Sequence, residues 1–157
     1  MTRQAFVVNN LNKGPYVYRA CASALAQTIP CEVVFSDARS TDNSISEIER
    51  AVLEAPLGAD HEVRVLVGPK GACNFQSCSD HFAWLLPQIK SDWLIQCSSD
   101  DYSLPDRARL CMEAVKEHPC SIVATTQFFE EPGTLNRETI SGFPRESGYL
   151  KPEDGLL

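Results

Sequence analysis

The chain has 157 residues, with 14 Lys and Arg against 21 Asp and Glu and a formal net charge of −7. A domain of this size buries a core without needing disulfides or a metal. The negative balance argues against a general nucleic-acid binder, which needs a basic face to neutralise phosphates. No apolar run approaches the ~20 residues of a membrane-spanning helix, and no signal peptide is visible. The seven cysteines include no Cys-x-x-Cys pair, which predicts reduced thiols and a cytoplasmic protein.

Strand and helix signals alternate along most of the chain. Short apolar runs predict five strands, at residues 4–8, 31–35, 62–67, 93–97 and 121–129. Helical spacing of apolar residues predicts four helices, at 15–28, 44–54, 76–89 and 105–116. Ser44 and Glu47 fit a capping box at the second helix. The alternation predicts βαβ units and an α/β fold, a mostly parallel sheet with helices on both faces.

The last 28 residues differ in character from the rest. Residues 130–157 hold three of the ten prolines and four of the eight glycines, without clear periodicity. We therefore expect an α/β domain over residues 1–129 and a loop-rich tail over residues 130–157.

Polar and turn-forming residues follow the first four predicted strands. They lie at 9–13, 36–40, 68–71 and 98–101. Because ligands of open parallel sheets bind outside the carboxyl ends of the strands, these amides and carboxylates predict a nucleotide site.

The adjacent carboxylates of Asp100 and Asp101 are the sharpest local feature of that edge. Two neighbouring carboxylates are costly unless a cation compensates them. Mg²⁺ and Mn²⁺ take oxygen ligands, and a diphosphate supplies further oxygens. The structural alternative is that Asp100 caps a turn while Asp101 is solvated, and local sequence leaves both interpretations open.

Several common sites lack their motifs. The chain has no G-x-G-x-x-G, no P-loop motif and no G-x-S-x-G elbow. Its three histidines, His61, His81 and His118, do not lie at predicted strand ends. We interpret them as surface or packed structural residues.

Four short segments follow one another along the chain: Asn12-Lys13 with Tyr16, Gln27-Thr28, Asp37 with residues 40–44, and Asp100-Asp101 with Pro105-Asp106. In this order they resemble segments of family-2 glycosyltransferases of the GT-A fold, including the small spore-coat polysaccharide enzymes. The likeness covers about residues 5 to 128, the nucleotide-binding half of such enzymes. It implies the GT-A form of the α/β fold, with a short acceptor half at the C-terminal end.

The resemblance also implies a metal-dependent, inverting transfer of a sugar from a nucleotide-diphosphate donor, with a UDP-sugar favoured, to an unknown acceptor. Asp37 would accept a hydrogen bond from the base. The other residues implied to line the nucleotide site are Asn9, Leu11, Gln76 and Ser99.

The metal and the base of the reaction are implied in the same way. Asp100 would hold Mn²⁺ or Mg²⁺, with Asp101 beside it. Residues 142–154 resemble the family's Gly-Phe-Asp-Glu segment followed by Glu-Asp, which would make Asp154 the general base for the acceptor hydroxyl; the alternative is a mobile acidic tail.

The chain departs from the family pattern at several positions. Leu11 replaces the base-stacking aromatic residue, Ala38 and Arg39 replace an Asp-Gly pair, and Ser98 replaces the first Asp of the Asp-x-Asp triplet. These departures and the short tail leave a second hypothesis, a degenerate or incomplete nucleotide-binding module without transferase activity.

Two further expectations concern partners and alternatives. The chain is either compact or the N-terminal piece of a longer one, and a homodimer that covers the truncated face is compatible with it. A nucleotidyltransferase ranks last, because residues 9–13 do not form a glycine-rich, basic phosphate loop.

Overall fold

Strands and helices alternate in the computed structural model, which describes residues 3–69 and 78–117. The elements are β1 (Gln4–Asn10), α1 (Gly14–Leu25), β2 (Glu32–Asp37), α2 (Ser44–Glu54), β3 (Glu62–Val67), α3 (Cys78–Leu85), a 3-10 turn (Leu86–Gln88), β4 (Trp93–Ser98) and α4 (Arg107–Glu117). The chain divides into two compact units, Met1–Arg109 and Leu110–Leu157. Of the second unit, the structure describes residues 110–117, the end of α4.

The four described strands form one parallel sheet in the order β3-β2-β1-β4. α1 connects β1 to β2 and α2 connects β2 to β3, so the chain moves in one direction across the sheet. α3 connects β3 to β4, on the far side of β1, so the chain crosses the sheet in the opposite direction. Because such crossovers are right-handed, α1 and α2 lie on one face and α3 on the other. The α/β fold with helices on both faces is therefore confirmed.

Both faces of the sheet are apolar in their middle. On the α3 face, strand residues pack against Leu85 and its neighbours; this core contains Ala5, Val7, Val34 and Leu85, flanked by Leu66, Phe82, Trp84, Ile89 and Leu94. Because strand side chains alternate, the next residues along face α1 and α2. These are Phe6, Val8, Val33 and Phe35, all buried. Burial of each such large side chain contributes roughly 1.5–3 kcal/mol.

The first two strands run further than their apolar residues predict. Asn9 and Asn10 lie inside β1, where they pair in register with Ser36 and Asp37 of β2. Polar residues extend the strands because the ladder satisfies their backbone groups, which outweighs their weak strand propensity. The polar edge of the sheet is consequently part of the rigid sheet, and is not loop.

The start of α2 corrects one local prediction. Ser44 is the first helical residue, Asn43 precedes it without a capping hydrogen bond from its side chain, and Asp42 Oδ1 accepts from Ser44 N at 2.9 Å. The capping box is wrong because both side chains have other partners. The Ser44 hydroxyl accepts a hydrogen bond from Lys13 N at 3.1 Å, and Glu47 pairs with Arg50 at 2.5 Å.

Other expectations fall at the limits of the described ranges. α3 ends at Leu85, ahead of Pro87, which cannot continue an α-helix. The predicted fifth strand at 121–129 and the boundary at 129/130 lie outside the described residues. Within residues 3–69 and 78–117, no helix combines the length and apolar character needed to cross a membrane.

Candidate functional site

The carboxyl ends of β1 and β2 meet in a buried hydrogen-bond cluster. Asn10 Nδ2 donates to Asp37 Oδ2 at 2.6 Å. Ser40 closes the cluster, because its backbone N–H donates to Asp37 Oδ1 at 2.7 Å and its hydroxyl donates to Oδ2 at 2.6 Å. Asp37 thus receives three hydrogen bonds. A carboxylate accepts about four, so Asp37 can take one more from a ligand.

The loops after β1 and β2 are locked to each other around Ser40. Asn12 N donates to Ser40 Oγ at 2.8 Å, and Thr41 N donates to Asn12 Oδ1 at 2.8 Å. Both loops turn through left-handed backbone conformations, at Asn12 (φ 53°) and Arg39 (φ 68°). Arg39 occupies the position where the family pattern has glycine, and the positive φ is the physical reason for a glycine there.

Asn9 lies on the opposite face of β1 from Asn10, between Ser36 of β2 and Ser98 of β4. Both polar atoms of its amide are buried, and in the described part of the chain neither has a hydrogen-bond partner. Asn10 Oδ1 is unpaired in the same way. An unpaired buried polar group costs about 1–3 kcal/mol, so these atoms, two on one face of β1 and one on the other, leave the end of this strand incompletely hydrogen-bonded.

A buried serine–histidine pair lies beside Asn9. Ser36 Oγ and His81 Nε2 are 2.7 Å apart. Burial lowers the pKa of His81, which keeps the imidazole neutral at pH 7. The prediction of a packed structural histidine fits His81, but its place beside a strand end was missed. The pair joins residues 45 positions apart, and only the crossing of α3 over the sheet brings them together.

The segment after β4 carries Asp100, and both oxygens of this carboxylate have partners. Lys13 Nζ lies 2.8 Å from Oδ2, and the Ser98 hydroxyl donates to Oδ1. These two contacts hold the pKa of Asp100 below its usual range, and Asp100 raises the pKa of Lys13. Asp101 is exposed next to it. The Asp100 carboxylate is therefore ionised, and an ammonium group neutralises its charge.

α1 positions the segment that follows Asp100. The Arg19 guanidinium lies 3.7 Å from the ring centroid of Tyr102. One turn further along α1, Ser23 Oγ accepts a hydrogen bond from Ser103 N at 3.0 Å. Successive turns of one helix face thus contact successive residues of this segment.

A buried glutamine, Gln27, follows α1 two residues after the helix ends. Gln27 Nε2 donates to Leu104 O at 2.9 Å, and Gln27 Oε1 accepts from Ala108 N at 2.8 Å. Thr28 Oγ1 donates to Asp106 Oδ1 at 2.8 Å. Two of the segments that carried the family resemblance, at 27–28 and 105–106, are therefore joined to each other in the fold.

The described residues offer a divalent metal only a partial ligand set. Among residues 3–69 and 78–117, no three His, Cys, Asp or Glu side chains converge on one point. The Asp100 and Asp101 carboxylates are hard oxygen ligands of the kind Mg²⁺ and Mn²⁺ take. The pair therefore fits an ion that shares its coordination sphere with a diphosphate, rather than a resident ion held by protein alone.

The predicted site residues that the structure describes lie at one edge of the sheet. Asn9 O accepts a hydrogen bond from Ser99 N at 3.0 Å, which joins the ends of β1 and β4. Leu11 is half exposed in the loop after β1. Asn10, which sequence reasoning left out of the site, contacts Asp37 directly. Gln76 and Asp154 lie outside the described residues.

The family model for glycosyl transferase family 2 matches residues 6–155, and the chain belongs to this family. The resemblance seen in the sequence is thereby confirmed. Chondroitin synthase of Pasteurella multocida (strain Pm70) and hyaluronan synthase of Pasteurella multocida are each 31% identical to it over 118 residues. The match covers 73% of this chain and 11% of each synthase. The chain thus spans about a tenth of the length of these relatives.

Solved structures show the same fold. S. aureus TarS, in a structure of its residues 1–349, superposes with a TM-score of 0.61 at 20% identity, over 75% of this chain and 33% of that one. A TarS structure in complex with UDP superposes with a TM-score of 0.58 at 19% identity, again over 75% of this chain and 33% of that one. The mannosyltransferase PcManGT of Pyrobaculum calidifontis, in complex with GDP-Man and Mn²⁺, superposes with a TM-score of 0.50 at 20% identity. The superposition covers 69% of this chain and 30% of that one.

Proposed function

We propose that the chain is a glycosyltransferase domain that binds a nucleotide-diphosphate sugar at the carboxyl edge of its sheet and transfers the sugar to an acceptor. The observation that carries this proposal is the Asp37 carboxylate held by Asn10 and Ser40 at the same edge as Asp100, in a chain that matches the glycosyl transferase family 2 model over residues 6–155. A nucleotide sugar supplies a base N–H for the first carboxylate and phosphates that need a cation beside the second.

Asp37 is the residue proposed to recognise the base. Asn10 and Ser40 hold its carboxylate in one orientation and leave it able to accept one further hydrogen bond. The N3–H of uracil is a suitable donor, and TarS has been solved with UDP and with UDP-GlcNAc. Guanine also presents a ring N–H, and PcManGT has been solved with GDP-Man. We therefore favour a UDP-sugar and take GDP as the comparison.

Asp100, with Asp101 beside it, is proposed to hold Mn²⁺ or Mg²⁺ together with the donor diphosphate. A divalent ion bound there would neutralise the phosphates and stabilise the departing nucleoside diphosphate. The protein's own part is to keep the Asp100 carboxylate ionised and oriented, through Ser98 and Lys13. The hydrogen bonds from α1 fix the segment on which the carboxylate lies.

The transfer is proposed to invert the anomeric carbon. Asp154 would take the proton of the acceptor hydroxyl as that oxygen attacks the sugar from the side opposite the leaving nucleotide. This role rests on the sequence segment around Asp154. A homodimer remains a prediction. A cytoplasmic location also remains a prediction.

A second candidate function is nucleotide binding without transfer. The observation that favours it is the Ser98–Asp100 contact, in which a hydroxyl takes the place of the family's first carboxylate. Turnover separates the two functions, because only the transferase hydrolyses or transfers sugar from a nucleotide sugar. A panel of UDP- and GDP-sugars, assayed for nucleoside diphosphate release, decides between them.

The binding step is tested by calorimetric titration of UDP, and then GDP, with Mn²⁺ and again with EDTA. We expect Mn²⁺-dependent UDP binding that weakens at least tenfold in Asp100→Ala and in Asn9→Leu. Asp60→Ala is the matched control, since it removes an exposed carboxylate at the opposite end of the sheet. Absence of binding by both nucleotides, with and without the ion, would falsify the donor site.

A further inference from the structure

Lys13 places a positive charge directly on the carboxylate proposed to hold the metal. Its Nζ is 2.8 Å from Asp100 Oδ2, and the Ser98 hydroxyl donates a hydrogen bond to Asp100 Oδ1. A divalent cation coordinated by Asp100 would lie next to this ammonium group, and like charges at such short range repel strongly. Metal and Lys13 therefore compete for the same carboxylate.

The contact is built so that it can open. The side chains of Lys13 and Asp100 are 42% and 41% exposed, and an ion pair so accessible to water is weak. The backbone of Lys13 is fixed independently, because its N–H donates to Ser44 Oγ and its C=O accepts from Val17 N at 2.9 Å. The ammonium can thus leave Asp100 while the start of α1 stays in place.

We propose that Lys13 is a positioning residue that guards Asp100: it neutralises the carboxylate in the donor-free protein and moves to the donor's diphosphate when a divalent cation takes Asp100. This inference rests on the proposed function. It makes metal binding conditional on the donor, since the diphosphate supplies both the missing metal ligands and a new anionic partner for Lys13. Metal alone should bind weakly.

The first arm of the test measures Mn²⁺ affinity by calorimetry without nucleotide. Lys13→Met keeps most of the side-chain stem and removes the charge, and we expect it to bind Mn²⁺ about three- to tenfold more tightly than the wild type. Lys13→Arg, which keeps the charge, and Lys116→Met, which removes an exposed lysine elsewhere, should match the wild type. The double variant Lys13→Met with Asp100→Asn should lose the gain.

The second arm measures UDP affinity at saturating Mn²⁺. Here we expect Lys13→Met to bind about five- to twentyfold more weakly than the wild type, because the diphosphate has lost its ammonium partner. The two arms therefore change in opposite directions. A fall in both affinities would mean that Lys13 only supports the fold, and a rise in both that it only blocks the metal; either result overturns the proposal.

The failure of this inference differs from failure of the proposed function. If the wild type binds UDP with Mn²⁺ but Lys13→Met is unchanged in both arms, the role of Lys13 is wrong and the donor site stands. If the wild type binds neither UDP nor GDP, the proposed donor site is wrong. The proposed movement of the Lys13 ammonium group to the diphosphate is then wrong as well. Unfolding midpoints equal to that of the wild type would show that the variants are folded. Lys13→Gln serves as a second variant that removes the charge, and it should behave like Lys13→Met.

Discussion

The side-chain amide of Gln27 accepts a hydrogen bond from the backbone N–H of Ala108 at 2.8 Å, and so ties the end of α1 to the start of α4. The same amide donates to Leu104 O. Gln27 and Ala108 are fully buried, so the Ala108 N–H has no water as an alternative partner. The glutamine thereby fixes the segment that separates Asp100 from α4.

Replacing Gln27 by leucine should strongly destabilise the protein. Ala108 N would be left buried without this partner, whereas Leu104 O keeps its hydrogen bond from Arg107 N, so we expect a loss of roughly 1–3 kcal/mol in the free energy of unfolding. Urea denaturation measures this loss. Thr28→Val removes only an exposed hydrogen bond to Asp106 and should cost under about 1 kcal/mol. Equal losses in the two variants would contradict the argument from burial.

Replacing Arg39 by glycine should stabilise the protein. Arg39 has φ 68°, a left-handed conformation that costs a non-glycine residue about 1–2 kcal/mol. Part of the gain is offset, because glycine loses more backbone entropy on folding, about 0.5–1 kcal/mol. We expect a net gain of about 0.5–1 kcal/mol by urea denaturation. Arg39→Ala retains the strain, so a gain of the same size in that variant would show that the backbone conformation is not the cause.

The stability of the wild type should fall as the pH is lowered from 7.5 towards 5.5. Burial lowers the pKa of His81 in the folded state, so the unfolded chain takes up a proton first. Neutral His81 makes its full contribution to the free energy of unfolding above pH 6.5, the ordinary pKa of histidine. This contribution is lost as the pH falls towards the lowered pKa of His81 in the folded protein. Denaturation midpoints at several pH values measure this dependence.

Two variants test whether His81 is the source. His81→Gln should reduce the loss of stability between pH 7.5 and 5.5. Ser36→Ala should keep most of it, because burial, the main cause of the shift, remains when the hydroxyl is removed. An undiminished pH dependence in His81→Gln would assign the effect to another group.

An aromatic residue at position 11 should strengthen nucleotide binding. Leu11 is 49% exposed beside the proposed site, at the position where the family pattern has a base-stacking aromatic residue. Stacking of a base on an aromatic ring contributes about 1–3 kcal/mol, so Leu11→Tyr should lower the Kd for UDP at least fivefold. Leu53→Tyr adds the same ring at an 85% exposed position on α2 and should leave the Kd unchanged. An unchanged Kd in Leu11→Tyr would place the base elsewhere.

The amino-acid sequence by itself determined the fold class and the edge of the sheet that carries the site. Strand segments that alternate with helices allow few topologies. Parallel strands must be joined by crossover connections, and these connections are almost always right-handed. β3 (Glu62–Val67) was predicted with its observed bounds, and polar residues at strand ends marked Asn9, Asp37 and Asp100. These are local patterns, readable without knowing which strands are neighbours.

The tertiary structure alone decided which of these residues touch. β1 and β2 extend into their polar residues because the parallel ladder pairs them, and this puts Asn10, rather than Asn9, on the same face as Asp37. The contact of Lys13 with Asp100 depends on the pairing of β1 with β4, which places the segments that follow these two strands side by side. Side-chain partners far apart in sequence are set by strand order, register and face, and no local pattern encodes them.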